Sequence, residues 1–105
     1  MSPIGLIEEI KNLVREDKII ISKHAYARMV ERDVLADDLV NLILNGEIIE
    51  SYPDDFPCPS VLISGFLPGK PCHVVVAKCL DYLRVVTVYL PDEDKWINCR
   101  ERVQK

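Results

Sequence analysis

At 105 residues the chain has the length of one compact domain, and its 49% apolar content suffices for one ordinary core, which leaves no room for a second. The net charge of −4 argues against a surface that embraces nucleic acid throughout, because such domains carry Lys and Arg in excess. No apolar stretch approaches the roughly 18 to 20 residues needed to cross a bilayer, and the N-terminal segment mixes Ile, Glu and Lys without a cleavable signal pattern. The expectation is a cytoplasmic protein with no membrane association. The four cysteines, Cys58, Cys72, Cys79 and Cys99, form no Cys-x-x-Cys pair and have no His at zinc-finger spacing. All four are therefore expected to be reduced thiols, Cys72 and Cys79 as small buried hydrophobes in strands, and neither a metal site nor a cofactor is expected.

In chain order, Ser2-Pro3 is a helix start, and Ile7, Ile10, Leu13 and Val14 recur at helical spacing with charged residues between them. Ile19, Ile20 and Ile21 are a β-branched run suited to one brief strand, after which Ser22 can cap a second helix over about Lys23 to Arg32. A third helix is predicted from about Ala36 to Asn45, with Leu39, Leu42 and Ile43 inward and Gly46 as a left-handed stop. From Glu47 the pattern changes to strands: 47–52, 60–67, 72–80 and 83–90. The Pro-rich connector 53–59, a Pro68-Gly69-Lys70-Pro71 turn and a two-residue turn at Asp81-Tyr82 join them. Helices followed by strands indicate an α+β domain, with N-terminal helices packed on one face of a four-stranded, mostly antiparallel twisted sheet.

The segment from His24 to Arg32 is the most informative. At about 100° per residue, His24, Arg28 and Arg32 share one side of the second helix, and Ala25, Tyr26, Met29 and Val30 take the other. An imidazole that trades protons near neutral pH, beside guanidinium forks that match phosphate, suits phosphodiester chemistry. A competing reading is that Glu31 pairs with Arg28 and Arg32 on a solvated face and His24 bonds locally.

Ser22-Lys23-His24-Ala25, Arg28-Met29, Glu31-Arg32, Gly46-Glu47-Ile48-Ile49-Glu50, Tyr52, Pro59-Ser60, His73-Val74-Val75, Thr87-Val88-Tyr89 and Pro91 stand in this order. The pattern resembles the prokaryotic family called domain of unknown function 4258 over about residues 19–97. The resemblance implies the broad RelE-like and barnase-like toxin fold class, and a partner in the form of a small zinc-finger antitoxin.

With a two-residue turn at Asp81-Tyr82, Lys78 opposes Val85, Val76 opposes Thr87 and Val74 opposes Tyr89. One face then carries Lys78, Thr87 and Tyr89. The other carries His73, Val75, Ala77, Cys79, Val86, Val88 and Leu90, the side expected under the helices. His73, at a strand end, is a secondary candidate; Thr87 and Tyr89 could contact RNA by hydrogen bonding and stacking. Trp96 reads as a lid over the core.

These residues point to a metal-independent endoribonuclease with RNA as substrate, and the resemblance implies that it is the toxin of a toxin–antitoxin pair. His24 acts as general acid or base and Arg28 stabilises the phosphorane; Lys23, Arg32, His73, Thr87 and Tyr89 bind substrate. The alternative is a noncatalytic module of the same fold whose basic face binds nucleic acid or protein.

Overall fold

The computed structural model describes residues 3–91, 96–97 and 101–102, with side chains described over 5–91. The apolar periodicity of the first half becomes three helices, α1 (Pro3–Arg15), α2 (Lys23–Glu31) and α3 (Ala36–Asn45), with the brief strand β1 (Ile19–Ile21) between the first two. The strands β2 (Glu47–Tyr52), β3 (Ser60–Leu67), β4 (Lys70–Lys78) and β5 (Leu83–Tyr89) follow, and a separate two-stranded ribbon joins β6 (Trp96–Ile97) to β7 (Glu101–Arg102). No helix among the described residues is long and apolar enough to cross a membrane.

Helices α1 and α2 end in the same way. Asp17 and Asp33 take positive φ, 60° and 56°. The Asp17 and Lys18 N–H groups donate back to the carbonyls of Val14 and Leu13, and those of Asp33 and Val34 to the carbonyls of Val30 and Met29. This pair of reversed bonds satisfies carbonyls that a helix end otherwise leaves open, and Asp enters the left-handed region more readily than most residues. In α2 the motif ties buried Met29 to buried Val34. The expected left-handed stop at Gly46 is corrected: its φ is −82°, extended rather than left-handed. Gly46 is small for a packing reason, since a Cβ there would lie 2.7 Å from Ile63 Cγ2 and 2.7 Å from the Leu42 carbonyl. Gly65 does the same on β3, where a Cβ would meet Leu42 Cγ at 2.8 Å. Two missing side chains thus let α3 press onto β3.

The principal sheet has five strands in the order β1-β5-β4-β3-β2, so the expected four-stranded arrangement is corrected to a mixed five-stranded one. The extra strand is the Ile run, whose Ile19 and Ile21 pair in parallel with Leu83 and Val85. The other pairings are antiparallel. Helices cover one face. There Ile10, Leu39, Leu42 and Ile43 join Ile63, Val74, Val76, Val85 and Val88 in one buried cluster.

The register of β4 with β5 also differs from expectation. Lys78 pairs with Leu83 and Val76 with Val85; after a bulge, Val75 pairs with Thr87, Val74 with Val88 and His73 with Tyr89. The connecting turn is centred on Leu80 and Asp81 rather than on Asp81 and Tyr82, and is closed by the Cys79 N–H donating to the Tyr82 carbonyl at 3.0 Å. A one-residue slip exchanges the faces of a strand. Cys72, Val74 and Val76 face the helices, and His73, Val75 and Ala77 lie on the opposite face with Thr87 and Tyr89, a face on which Leu62 and His73 are themselves 0% exposed.

The expectation of four reduced cysteines is corrected as well. Cys58 and Cys79 form a disulfide with Cα atoms 5.2 Å apart. The connector returns along the end of β4, where the Lys78 N–H donates to the Pro59 carbonyl at 2.8 Å and draws the two cysteines together. By chain entropy, closing the intervening 21-residue separation contributes about 3 kcal/mol. Cys72 is a buried free thiol. Cys99 and the side chain of Trp96 lie outside the described residues.

Because Met29 is 3% exposed on the apolar side of α2, Met29→Asp places an unpaired carboxylate in the core. The expected outcome is a loss of about 3 kcal/mol or more, read from chemical denaturation. An unchanged midpoint would show the helix to be seated on another face.

Candidate functional site

Helix α2 is positioned at both ends. At its start, Ser22 donates its N–H to the Val85 carbonyl (3.1 Å) and its hydroxyl to the Val86 carbonyl (3.1 Å), while its Oγ accepts from the Ala25 N–H (3.0 Å). At its end, Lys70 Nζ donates to the Arg32 carbonyl at 3.2 Å. Ala25 and Met29 enter the core, which directs His24, Arg28 and Arg32 away from it. The helix therefore runs from beside the middle of β5 towards the β3–β4 hairpin, with its basic strip along that path.

Lys23 and His24 are exposed in the first turn, and Arg28 and Arg32 are half-buried. Arg28 Nη1 lies 3.0 Å from Glu31 Oε2, as the competing reading of the sequence supposed. The Nε atoms of Arg28 and Arg32 are both buried and have no hydrogen-bond partner. Each guanidinium thus keeps donor capacity that protein groups have not used. Among the described residues, the His24 side chain has no hydrogen-bond or ion-pair partner to fix its tautomer.

The sheet face opposite the helices holds a second group. His73 is fully buried, and its Nδ1 shares a hydrogen bond of 3.2 Å with Tyr89 Oη. Their rings meet edge to face with centroids 5.2 Å apart. His73 therefore offers no surface to a ligand; what it does is hold the Tyr89 hydroxyl in place. Tyr89 and Thr87 are both half-buried. Sequence reasoning had put His73 and Tyr89 on opposite faces, and the bulge brings them into contact.

Lys70 is a residue the sequence reading missed as anything but part of a turn. It stands at the start of β4, and its charge and that of Arg32 both reach Cys72. Burial pushes the Cys72 thiol up to about 11, and the two cations oppose that rise without cancelling it. The basic strip thus continues from Arg32 to Lys70. Among the described residues, no group of three His, Cys, Asp or Glu side chains is placed to hold a metal ion.

Comparison with known proteins gives one finding. A family model described as a domain of unknown function, DUF4258, matches residues 21–90, from the end of β1 to just past β5. No curated protein and no solved structure matches the chain.

The raised Cys72 pKa has a consequence for stability. Between its ordinary value of 9.0 and about 11, the native thiol keeps a proton that the unfolded chain has lost. The unfolded state then binds fewer protons, and stability falls as pH rises through that window. Thermal melts across this alkaline range are expected to decline less steeply for Cys72→Ala than for the parent. Equal slopes would show that the thiol is not protected by burial.

Proposed function

The chain belongs to the DUF4258 family, and we propose that it is a metal-independent endoribonuclease, a toxin of the messenger-RNA-cleaving kind, working from the basic strip of α2. One observation carries this reading: α2 presents an exposed imidazole, His24, one turn before an arginine, Arg28, whose Nε is buried without a partner, on a helix tied to the sheet at both ends. A proton-transfer group and a planar cation on one rigid element are what cleavage by the neighbouring 2′-hydroxyl requires.

In this mechanism the substrate phosphate lies against Arg28. His24 takes the 2′-hydroxyl proton while water protonates the leaving 5′-oxygen, or His24 protonates the 5′-oxygen while water takes the first proton. The 2′-oxygen bonds to phosphorus, the bond to the 5′-oxygen breaks, and a 2′,3′-cyclic phosphate remains. Arg28 stabilises the extra negative charge on the pentavalent phosphorus. Its pairing with Glu31 is no obstacle, because half-exposed ion pairs are worth about 1 kcal/mol or less and a phosphate offers a better bidentate partner. Lys23 and Arg32 hold flanking phosphates. Tyr89, held by His73, and Thr87, both half-buried on the sheet face opposite the helices, bind the RNA there. The toxin reading implies an antitoxin protein as partner, consistent with the zinc-finger antitoxin that the family resemblance suggests.

A noncatalytic nucleic-acid- or protein-binding module is the second reading. The Arg28–Glu31 pair, in which the protein itself occupies the guanidinium, favours it.

The decisive experiment is cleavage of RNA by the purified chain, freed of any partner, in the presence of a metal chelator. His24→Ala is expected to fold normally and to lose about 100-fold in rate. Arg28→Lys keeps the charge but loses the fork, and should lower the rate by more than its effect on RNA affinity. Arg32→Ala should weaken binding with a reduced salt dependence. RNA that is bound but left intact by the parent chain, or a His24→Ala variant with parental rate, assigns the chain to the binding reading instead.

A further inference from the structure

The connector 53–59 is held in an unusual way. Six of its seven residues are exposed, Phe56 at 94%, and Cys58 alone is half-buried. Apart from the disulfide, it is tied down by few bonds: the Asp55 N–H to the Tyr52 carbonyl, the Ser60 hydroxyl to the Asp55 carboxylate, and the Lys78 N–H to the Pro59 carbonyl. A segment with so little buried apolar surface gains little from packing to offset its loss of freedom. Its position therefore depends on the Cys58–Cys79 bond.

That bond stands between two hollows. On the helix side is a mostly apolar cleft of about 430 Å3 whose walls include Leu6, Val61 and the prolines Pro53, Pro57 and Pro59. On the other side is a smaller hollow of about 150 Å3 that Asp55, Arg84 and Val86 border. Both cysteines line both hollows. Lys78, next to Cys79, also lines the cleft and pairs with Glu9 of α1 at 3.8 Å.

We propose that the Cys58–Cys79 pair is a thiol–disulfide exchange site for a dithiol reductant, and that its reduction releases the connector 53–59 from the sheet and opens the apolar cleft. The attacking thiolate bonds to Cys58 Sγ, the more accessible sulfur, and the S–S bond breaks with its electron pair leaving on Cys79. The Cys79 thiolate then takes up a proton from water. The reductant's second thiol then attacks the mixed disulfide, freeing Cys58 and leaving the reductant as its own disulfide. Two electrons and two protons have passed to the protein. The sheet does not depend on the bond, because β3 stays paired with β4 from Ser60↔Ala77 to Leu67↔Lys70. Cys72 takes no part, being fully buried on the helix-covered side.

Hydrogen exchange on the full chain, followed by mass spectrometry with and without a dithiol reductant, tests this. Alkylation before and after reduction first establishes the redox state of each cysteine. Peptides covering 53–60 and 78–82 are expected to exchange at least ten-fold faster after reduction, with 61–67 and 70–77 unchanged. Cys58→Ser should show the fast pattern whatever the redox buffer. Three results would overturn the proposal: free Cys58 and Cys79 thiols in the air-equilibrated folded chain, identical exchange in both states, or acceleration spread over the whole domain. The last would make the disulfide a staple of the entire fold rather than a local clasp. None of these readouts depends on RNA cleavage, so the proposal stands or falls apart from the ribonuclease reading.

Discussion

The arrangement of this domain turns on Ser22. It is the single residue between β1 and α2, and it bonds to two consecutive carbonyls of β5, Val85 through its N–H and Val86 through its hydroxyl, while capping α2 at Ala25. In a regular strand, consecutive carbonyls point to opposite edges. The β5 bulge that follows Val85 relaxes that alternation and brings both within reach of one partner. The bulge and the cap are thus one device. It ends the parallel pairing of β1, launches α2 alongside β5, and fixes where along the sheet the basic strip begins. A serine is suited to this because one oxygen donates and accepts at once.

The same bulge explains what the sequence did and did not disclose. Helices α1, α2 and α3 were legible because their apolar period is local: Ile10, Leu13 and Val14, or Leu39, Leu42 and Ile43, mark their buried faces without reference to the rest of the chain. So was the strip of His24, Arg28 and Arg32. The contact between His73 and Tyr89 was not, because it depends on register across two strands, and Val85-Val86-Thr87 contains no Gly or Pro to signal an irregularity. Without the bulge, counting from the turn sends His73 to the wrong face. The disulfide was hidden for a related reason: Cys58 meets Cys79 only because the connector doubles back over the end of β4. The glycines carried a signal that was misread, since Gly46 answers to the approach of α3 to β3 and not to a helix stop.

An acidic chain with a basic strip needs a physical account. The net charge of −4 disfavours long-range attraction to a polyanion, so any affinity of α2 for phosphate must come from short-range, geometry-dependent contacts. Arginine supplies those better than lysine, and the strip places Arg28 and Arg32 where their Nε donors are already withdrawn from water. Part of the desolvation cost of binding phosphate has then been met in the free protein, since a donor without a partner gives up no bond when a phosphate arrives. Glu31 keeps the terminal nitrogen of Arg28 occupied and lowers its attraction for stray anions. Such a strip discriminates by shape more than by charge.

The two features singled out above lie towards opposite ends of β4, which runs from Lys70 beside Arg32 to Lys78 beside Cys79. At about 3.3 Å per residue that strand separates Arg32 from the disulfide by more than 20 Å. The start of α2 is closer. Val86 borders the hollow against the disulfide, and its carbonyl is the one that Ser22 holds, two residues ahead of His24. The path from the disulfide's hollow to the start of α2 therefore runs through a single residue of β5. Arg28 and Arg32, one and two turns further on, are anchored instead by the core through Met29 and by the hairpin through Lys70. The chain thus ties the start of α2, with His24, to the residue of β5 that borders the hollow beside the disulfide, and Arg28 and Arg32, the candidates for phosphate binding, to the core and the β3–β4 hairpin.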